Sequence, residues 1–387
     1  DERGAPDTIL FTEEPGRIGP DLRVGADVTK ALALKANDDL CSPGVKLHGS
    51  GFIVTPEQAG RLDPQSLAIA RAETDVDPRI RSGQGNEPQV IFDYRNGKDL
   101  MARPRGVMVI DTYGLGEAEL RERHPPVWQH LDSEVRPQRE GQAAKSKTND
   151  AQAYARDWWL FGKTRPEIRK ALRGCERYIA TVETAKHRVF QFLPIATMPD
   201  NMIVAIASAD AFDLGVLSSR SHLAWVSAMG GTLEDRPRYT KSQCFDSFPF
   251  PADVAEPLAN SIRAEAEALD ALRKRVLGEH DDLTLTKLYN VLEATRSDRP
   301  LTDTERDIHD RGLVTLIGHH HDAIDAAVAA AYGWQADLPE EEILTRLVAL
   351  NRERAAEETR GLIRYLRPEF QDPGYQAPIN ETLDLGE

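Results

Sequence analysis

The sequence holds little of what small-molecule catalysis or a stapled fold requires. Its three cysteines, Cys41, Cys175 and Cys244, are odd in number and far apart, with no Cys-x-x-Cys pair. That spacing excludes a zinc ribbon and a disulfide framework, and the chain reads as reduced and cytoplasmic. No apolar run approaches the roughly 18 residues that cross a bilayer, and no charged–apolar–small leader is present, so no membrane partner is expected. Gly44, Gly49 and Gly51 have no Walker lysine behind them and do not follow the strand–GxGxxG–helix order. They read as turns rather than a phosphate cradle. Neither a nucleophile elbow nor a nuclease-type Asp…Glu-x-Lys cluster occurs, so no catalytic residue is assigned. His319, His320 and His321 fan over about 200° of helix surface and cannot all face one ion, so no metal site is assigned there.

Charge is what the sequence has in plenty, and it is unevenly placed. The formal net charge is -15 over 387 residues. Residues 251–387 hold 15 Lys and Arg against 28 Asp and Glu, a balance of -13. Residues 121–190 hold 15 against 9, a balance of +6. Phosphate contacts need local lysines and arginines rather than a basic whole, so the middle of the chain can bind nucleic acid while the acidic third does not. A length of 387 residues allows two or three domains with cores of their own.

Taken in order, residues 1–28 are rich in Gly, Pro and acidic residues and show no sustained period. The start at Asp1 rather than Met marks a segment of a longer protein. Residues 40–62 have the look of a glycine-punctuated hairpin, closed by a helix that Thr55 caps and Pro56 opens. Residues 90–94 and 106–111 are short β-rich runs, and a helix is expected from near Gly116. The basic stretch EVRPQREGQAAKSKTND reads as a polar loop, either beside phosphates or simply solvated. Of the adjacent Trp158 and Trp159, one belongs in a core and the other can line a surface. TRPEIRKAL is a short helix with Thr164 as its expected cap. RYIATVETAKHRVFQFLP reads as strand, polar bend, strand, and residues 202–207 as a further buried strand. Asn201, at the turn before it, either reaches an adenine edge or closes an Asx turn. From Pro251 onward the pattern is helical. Leu258, Ile262, Leu269, Leu272 and Val276 form a seam, and an alanine-rich helix stops at Gly333.

The stretch GVLSSRSHLAWVSAMGGTLEDRPRYTKSQCFDSFPFP, residues 215–251, organises the rest. An apolar helix ends at Gly230-Gly231, where glycine suits a left-handed cap. A short loop then alternates charge through Glu234, Asp235, Arg236 and Arg238. Arginine offers a bidentate donor pair to guanine and a carboxylate accepts from the cytosine amine, so such a loop can read a major groove. A solvated turn with a local ion pair has the same composition. This run resembles the end of the target recognition domain of MmeI-like DNA adenine-N6 methyltransferases, the type II restriction-modification family. The likeness extends to ARDWWLFGKTRPEIRKAL and RYIATVETAKHRVFQFLP upstream, and to LTLTKLYN and LIRYLRPEFQ downstream. It covers most of the chain from about Asp27.

The resemblance implies an α+β chain: a tail of a preceding methyltransferase domain at 1–29, a mixed α/β target recognition domain at 30–251, and an all-α helical domain at 252–387. It implies double-stranded DNA as partner, with base readout by Glu234, Arg236, Arg238 and Asn201. Lys163, Arg169, Lys186 and Arg188 are phosphate candidates from charge alone. The chain lacks the glycine-rich loop for S-adenosylmethionine and the Asn/Asp-Pro-Pro-aromatic motif that holds a flipped adenine. The one Pro-Pro, Pro125-Pro126, is followed by Val127. No cofactor is therefore expected in this chain, and S-adenosylmethionine and the reaction are expected of the parent protein's methyltransferase domain. An acidic helical protein-interaction scaffold is the alternative reading.

Overall fold

β-branched and aromatic residues in short runs build two four-stranded sheets, as a computed structural model shows for residues 27–71, 89–230, 232–233 and 236–376. The strands are β1 (Cys41–Pro43), β2 (Ile53–Val54), β3 (Ile91–Arg95), β4 (Met108–Ile110), β5 (Arg177–Val182), β6 (Gln191–Pro194), β7 (Thr197–Pro199) and β8 (Ile203–Ile206). A two-residue pair, β9 (Thr232–Leu233) and β10 (Arg236–Pro237), forms a small hairpin. One sheet runs β1-β8-β5-β6, antiparallel throughout. The other runs β2-β4-β3-β7, with β3 and β7 parallel. The segment expected as a hairpin at residues 40–62 is not one. Its strands β1 and β2 lie in different sheets, because each completes the edge of a different apolar core.

Those two cores are distinct. One joins Phe52, Val54, Ile91, Val109, Ile110, Leu131 and Trp158 around the second sheet. The larger joins Tyr178, Ile179, Phe190, Val204 and Trp225 of the first sheet to Ile262, Leu269, Val276, Leu288, Ile324 and Leu347 of the helical region. The helix Glu256–Glu279 buries Ile262, Leu269, Leu272 and Val276 of the expected seam and leaves Leu258 half-buried. It rests on the helices Ala211–Ser218 and Val314–Ala331. Gly215 makes the first contact possible, since a Cβ there would lie 2.5 Å from Ile262 Cγ2. The alanine-rich helix Val314–Ala331 is followed by Gly333 at φ +72°, the left-handed stop that the sequence predicts.

The C-terminal motif LIRYLRPEFQ folds back onto the start of the chain. Gln371 Nε2 donates to the carbonyls of Ala36 and Asp38, and Arg367 Nη1 to those of Ala171 and Ala207. Glu358 accepts from the Lys35 and Ala36 amides, and Asn351 bridges Leu32 to Ser247. Among the described residues no helix is long and apolar enough to cross a membrane.

Two further expectations change. The stretch EVRPQREGQAAKSKTND is helical rather than a loop, spanning most of Arg136–Lys145 and the start of Asn149–Arg156. Arg139 within it is 1% exposed. Its guanidinium lies within 2.6–3.3 Å of six carbonyls, Nε against His48, Nη2 against Leu47, and Nη1 shared among Tyr154, Asp157, Trp158 and Leu160. Burial pulls its pKa down to about 10. The helix Pro166–Ala171 is capped by Arg165 in a left-handed conformation, with no side-chain bond from Thr164. Gly230 ends its helix at φ -73°, and Gly231, the other half of the expected glycine cap, lies outside the described residues. Gly230 is glycine because the chain returns against it: a Cβ would sit 2.2 Å from the Arg238 carbonyl oxygen. The capping box at Thr55 and Gln58 forms as predicted.

Candidate nucleic-acid interface

The chain passes from β6 in one sheet to β7 in the other and back to β8, and the turn at residues 200–202 lies at that junction. Asp200 pairs in parallel with Val45 and accepts the Tyr94 hydroxyl at 2.7 Å, so the turn is held from two sides. The Met202 amide bonds Asp200 Oδ1 at 3.0 Å, an Asx closure made by Asp200 and not by Asn201. Asn201 is half-buried, and its side-chain amide makes no hydrogen bond within the described structure. Met202 beside it is 41% exposed.

Glu183, just past β5, gathers the other part of the site. Its amide donates to the Met202 carbonyl at 2.8 Å and its own carbonyl accepts the Tyr239 amide at 2.7 Å. Its carboxylate takes Arg238 Nε at 2.7 Å and Nη2 at 2.6 Å. Met202, next to Asn201, and Arg238 are 36 positions apart in the chain, yet both bond Glu183. The bridge between Thr184 and Arg238 extends the β5 side toward the hairpin. The Arg238 side chain is 52% exposed, so this ion pair is weak and can exchange for a ligand.

Arg188 locks the arrangement from below. Its guanidinium donates to the Val182 carbonyl, to Pro237 O at 2.9 Å and to Glu183 O at 3.4 Å, and it lies 5.4 Å from the Tyr239 ring centre. Burial lowers its pKa to about 10. Tyr239 is fully buried against Phe190 and His222, with the His222 Nε2 3.2 Å from its hydroxyl. After the hairpin the chain winds through a wide turn, Lys241–Phe245, whose Cys244 Sγ accepts the Thr240 amide at 3.4 Å.

The other sequence-predicted residues fall in different surroundings. Lys186 is exposed, with Nζ 2.8 Å from Asn290 Oδ1 and 2.9 Å from Glu293 Oε2. Lys163 is half-exposed and 3.6 Å from Asp150. Arg169 is largely buried, 2.5 Å from the buried Asp111 carboxylate and stacked 4.6 Å over Tyr113. Arg236 contributes its backbone to β10. Glu234 lies outside the described residues. Of the tryptophans, Trp158 is buried and Trp159 donates its Nε1 to the Leu115 carbonyl at 3.0 Å. The histidine triplet splits: His321 bonds Tyr289 in the core at 2.8 Å and His320 bonds Glu265 at 2.7 Å.

Residues 86–252, which contain every element of this face but β1 and β2, match the family model described as the MmeI target recognition domain. The chain carries an MmeI-like target recognition domain. Over 95 residues it is 37% identical to DNA methyltransferase A of Bacillus subtilis (strain 168), an alignment that takes in 24% of this chain and 10% of that protein. Its fold is similar to that of the type IIL restriction-modification enzyme MmeI, solved in complex with DNA. The TM-score is 0.60 at 19% identity, over 88% of this chain and 39% of that one. The chain thus spans well under half the length of either relative. Within the target recognition domain, sequence reasoning missed Glu183: a single carboxylate in a polar bend carries no local signal, and its partners come from two other segments.

Replacing Gly230 tests whether the hairpin's seat matters. Gly230→Ala drives a Cβ into backbone that cannot move as a side chain would, at a cost of about 1–3 kcal/mol. Sequence selectivity is expected to fall more than thermal stability, measured by site selection from a random duplex pool beside a melting curve.

Proposed function

We propose that this chain is the sequence-specific DNA recognition module of an S-adenosylmethionine-dependent DNA adenine-N6 methyltransferase of the restriction-modification type. The observation that carries the reading is that Glu183 binds both Arg238 and the backbone of Met202, the residue after Asn201, inside the stretch that matches the target recognition family. An amide suits adenine, a guanidinium suits guanine and a carboxylate suits the cytosine amine. Three such groups on adjoining turns can read neighbouring base pairs. Glu234 and Arg236, from the same stretch of sequence, belong to the proposed set, and Glu183 joins it on geometric grounds. Residues 30–251 form the reading unit, and 252–387 brace it. Methyl transfer, with S-adenosylmethionine, belongs to a methyltransferase domain of the parent protein that this chain accompanies in the cytoplasm.

Phosphate contact falls to the exposed lysines. Lys163 and Lys186 keep solvent access, whereas Arg169 and Arg188 serve to hold Asp111 and the hairpin. Replacing Arg236 or Arg238 with alanine is expected to relax one base position by about 1–3 kcal/mol. Lys186→Ala is instead expected to weaken all duplexes alike and flatten the salt dependence by about one unit. Site selection and a salt titration on the same variants separate the two effects. An unchanged recognised site after both arginines are replaced overturns the readout assignment.

A further inference from the structure

Beside the readout turn lies a second polar cluster, two lysines and a histidine. Lys46 and Lys163 face each other across an antiparallel bridge, each amide donating to the other's carbonyl at 3.1 and 3.0 Å. Directly opposed residues in such a pair project to the same side, with Cβ atoms about 5 Å apart, and like charges placed so are destabilising. Lys46 is exposed and has no ion-pair partner among the described residues. The compensating charge is slight: Asp150, 3.6 Å from Lys163 and itself 67% exposed.

Two residues on, His48 sits at φ +52° and stacks on Tyr154, ring centres 4.7 Å apart and planes 28° from parallel. Lys163 Nζ lies 6.0 Å from the same Tyr154 ring. A non-glycine residue in the left-handed region is held at a cost and is worth a functional question. The ring packs on Gly162, where a Cβ would strike it at 2.3 Å. Arg139 lies directly beneath, bonded to the His48 carbonyl at 3.2 Å. The patch is also fixed to the readout turn, because Val45, next to Lys46, is the bridge partner of Asp200.

We propose that Lys46, Lys163 and His48 form a phosphodiester-binding site that grips one strand of the duplex alongside the turn bearing Asn201. This rests on the DNA-reading function argued above and adds where the backbone runs: from the hairpin at Arg238, past Asn201, to the Lys46–Lys163 pair. Opposed lysines that repel each other in the free protein gain when an anion lies between them, so the strain of the pair is released on binding. The site is neutral to sequence, since phosphates position a protein and bases specify.

The test is the double variant K46A/K163A of this chain, titrated with a mixed-sequence duplex over a range of salt concentrations. Loss of two phosphate contacts is expected to lower the slope of log Kd against log salt by roughly 1.8. The melting temperature is expected to be unchanged or higher, because the like-charge pair is gone, and the base preference found by site selection is expected to stay the same. An unchanged slope with duplex binding intact overturns this proposal and leaves the readout function standing. A loss of base preference with the slope preserved also overturns it. Absence of any salt-dependent duplex binding by the unaltered chain overturns the DNA-reading function itself.

Discussion

Arg139→Ala is expected to destabilise the protein by about 3–5 kcal/mol, more than any surface charge in the same basic stretch. The guanidinium gathers six carbonyls from two segments, residues 47–48 and 154–160, and so ties them together. A hydrogen bond to a charged donor is worth about 1.5–3 kcal/mol, and although the Leu47 and Asp157 carbonyls also accept backbone amides, the part-buried carbonyls around the guanidinium lose their shared donor. Aromatic faces close the site, with Phe52 5.1 Å and Tyr154 5.7 Å from the guanidinium. Lysine is not expected to rescue, since one ammonium on a flexible stem cannot fork toward both segments. The measurement is denaturant unfolding followed by tryptophan fluorescence, with Trp158 in the affected core. A variant that unfolds like the unaltered protein but shows a smaller salt slope on duplex DNA would return Arg139 to a phosphate role.

Arg139 also shows where reading the sequence stops. The stretch around it is basic, polar and without an apolar period, and on those grounds it reads as a loop. It folds as helices because one guanidinium replaces an apolar stripe as the group that ties them to the core. Periodicity sees side chains that avoid water, and it has no means of finding an arginine whose solvent is a ring of carbonyls. The helical region was legible for the opposite reason. Ile262, Leu269, Leu272 and Val276 recur at helical spacing and are all buried. Gly333 takes the left-handed stop expected of it. Gly230 was placed correctly at a helix end, but its cause is a neighbour eight positions later, the Arg238 carbonyl, which no local rule contains. The same limit hid Glu183, whose contacts come from Met202, Arg238 and Tyr239. Charged residues were legible as charged; which of them meet solvent was settled by the backbone that wraps them.

Arg188 turns that limit into an experiment. Composition groups it with Lys186 as a cation for phosphates, two positions apart in one bend. The structure separates them: Lys186 is exposed beside Glu293, whereas Arg188 is half-buried under the hairpin and turns its Nη donors to the Val182, Glu183 and Pro237 carbonyls. A fork of this kind holds the β9–β10 hairpin at the distance where Arg238 reaches Glu183. Arg188→Ala is therefore expected to release the hairpin and cut discrimination against one-base mismatches by about 10- to 100-fold, equivalent to about 1–3 kcal/mol. The salt slope is expected to stay where it was, because no phosphate contact is lost. Arg188→Lys is expected to behave like the alanine variant, as one point donor cannot span carbonyls on both sides of the hairpin. Competition binding between the selected site and single-mismatch duplexes, repeated over a salt series, reads both quantities from one preparation. A slope reduced by about 0.9 with discrimination intact would place Arg188 on the DNA backbone and leave the hairpin's position to Tyr239 and the Gly230 contact alone.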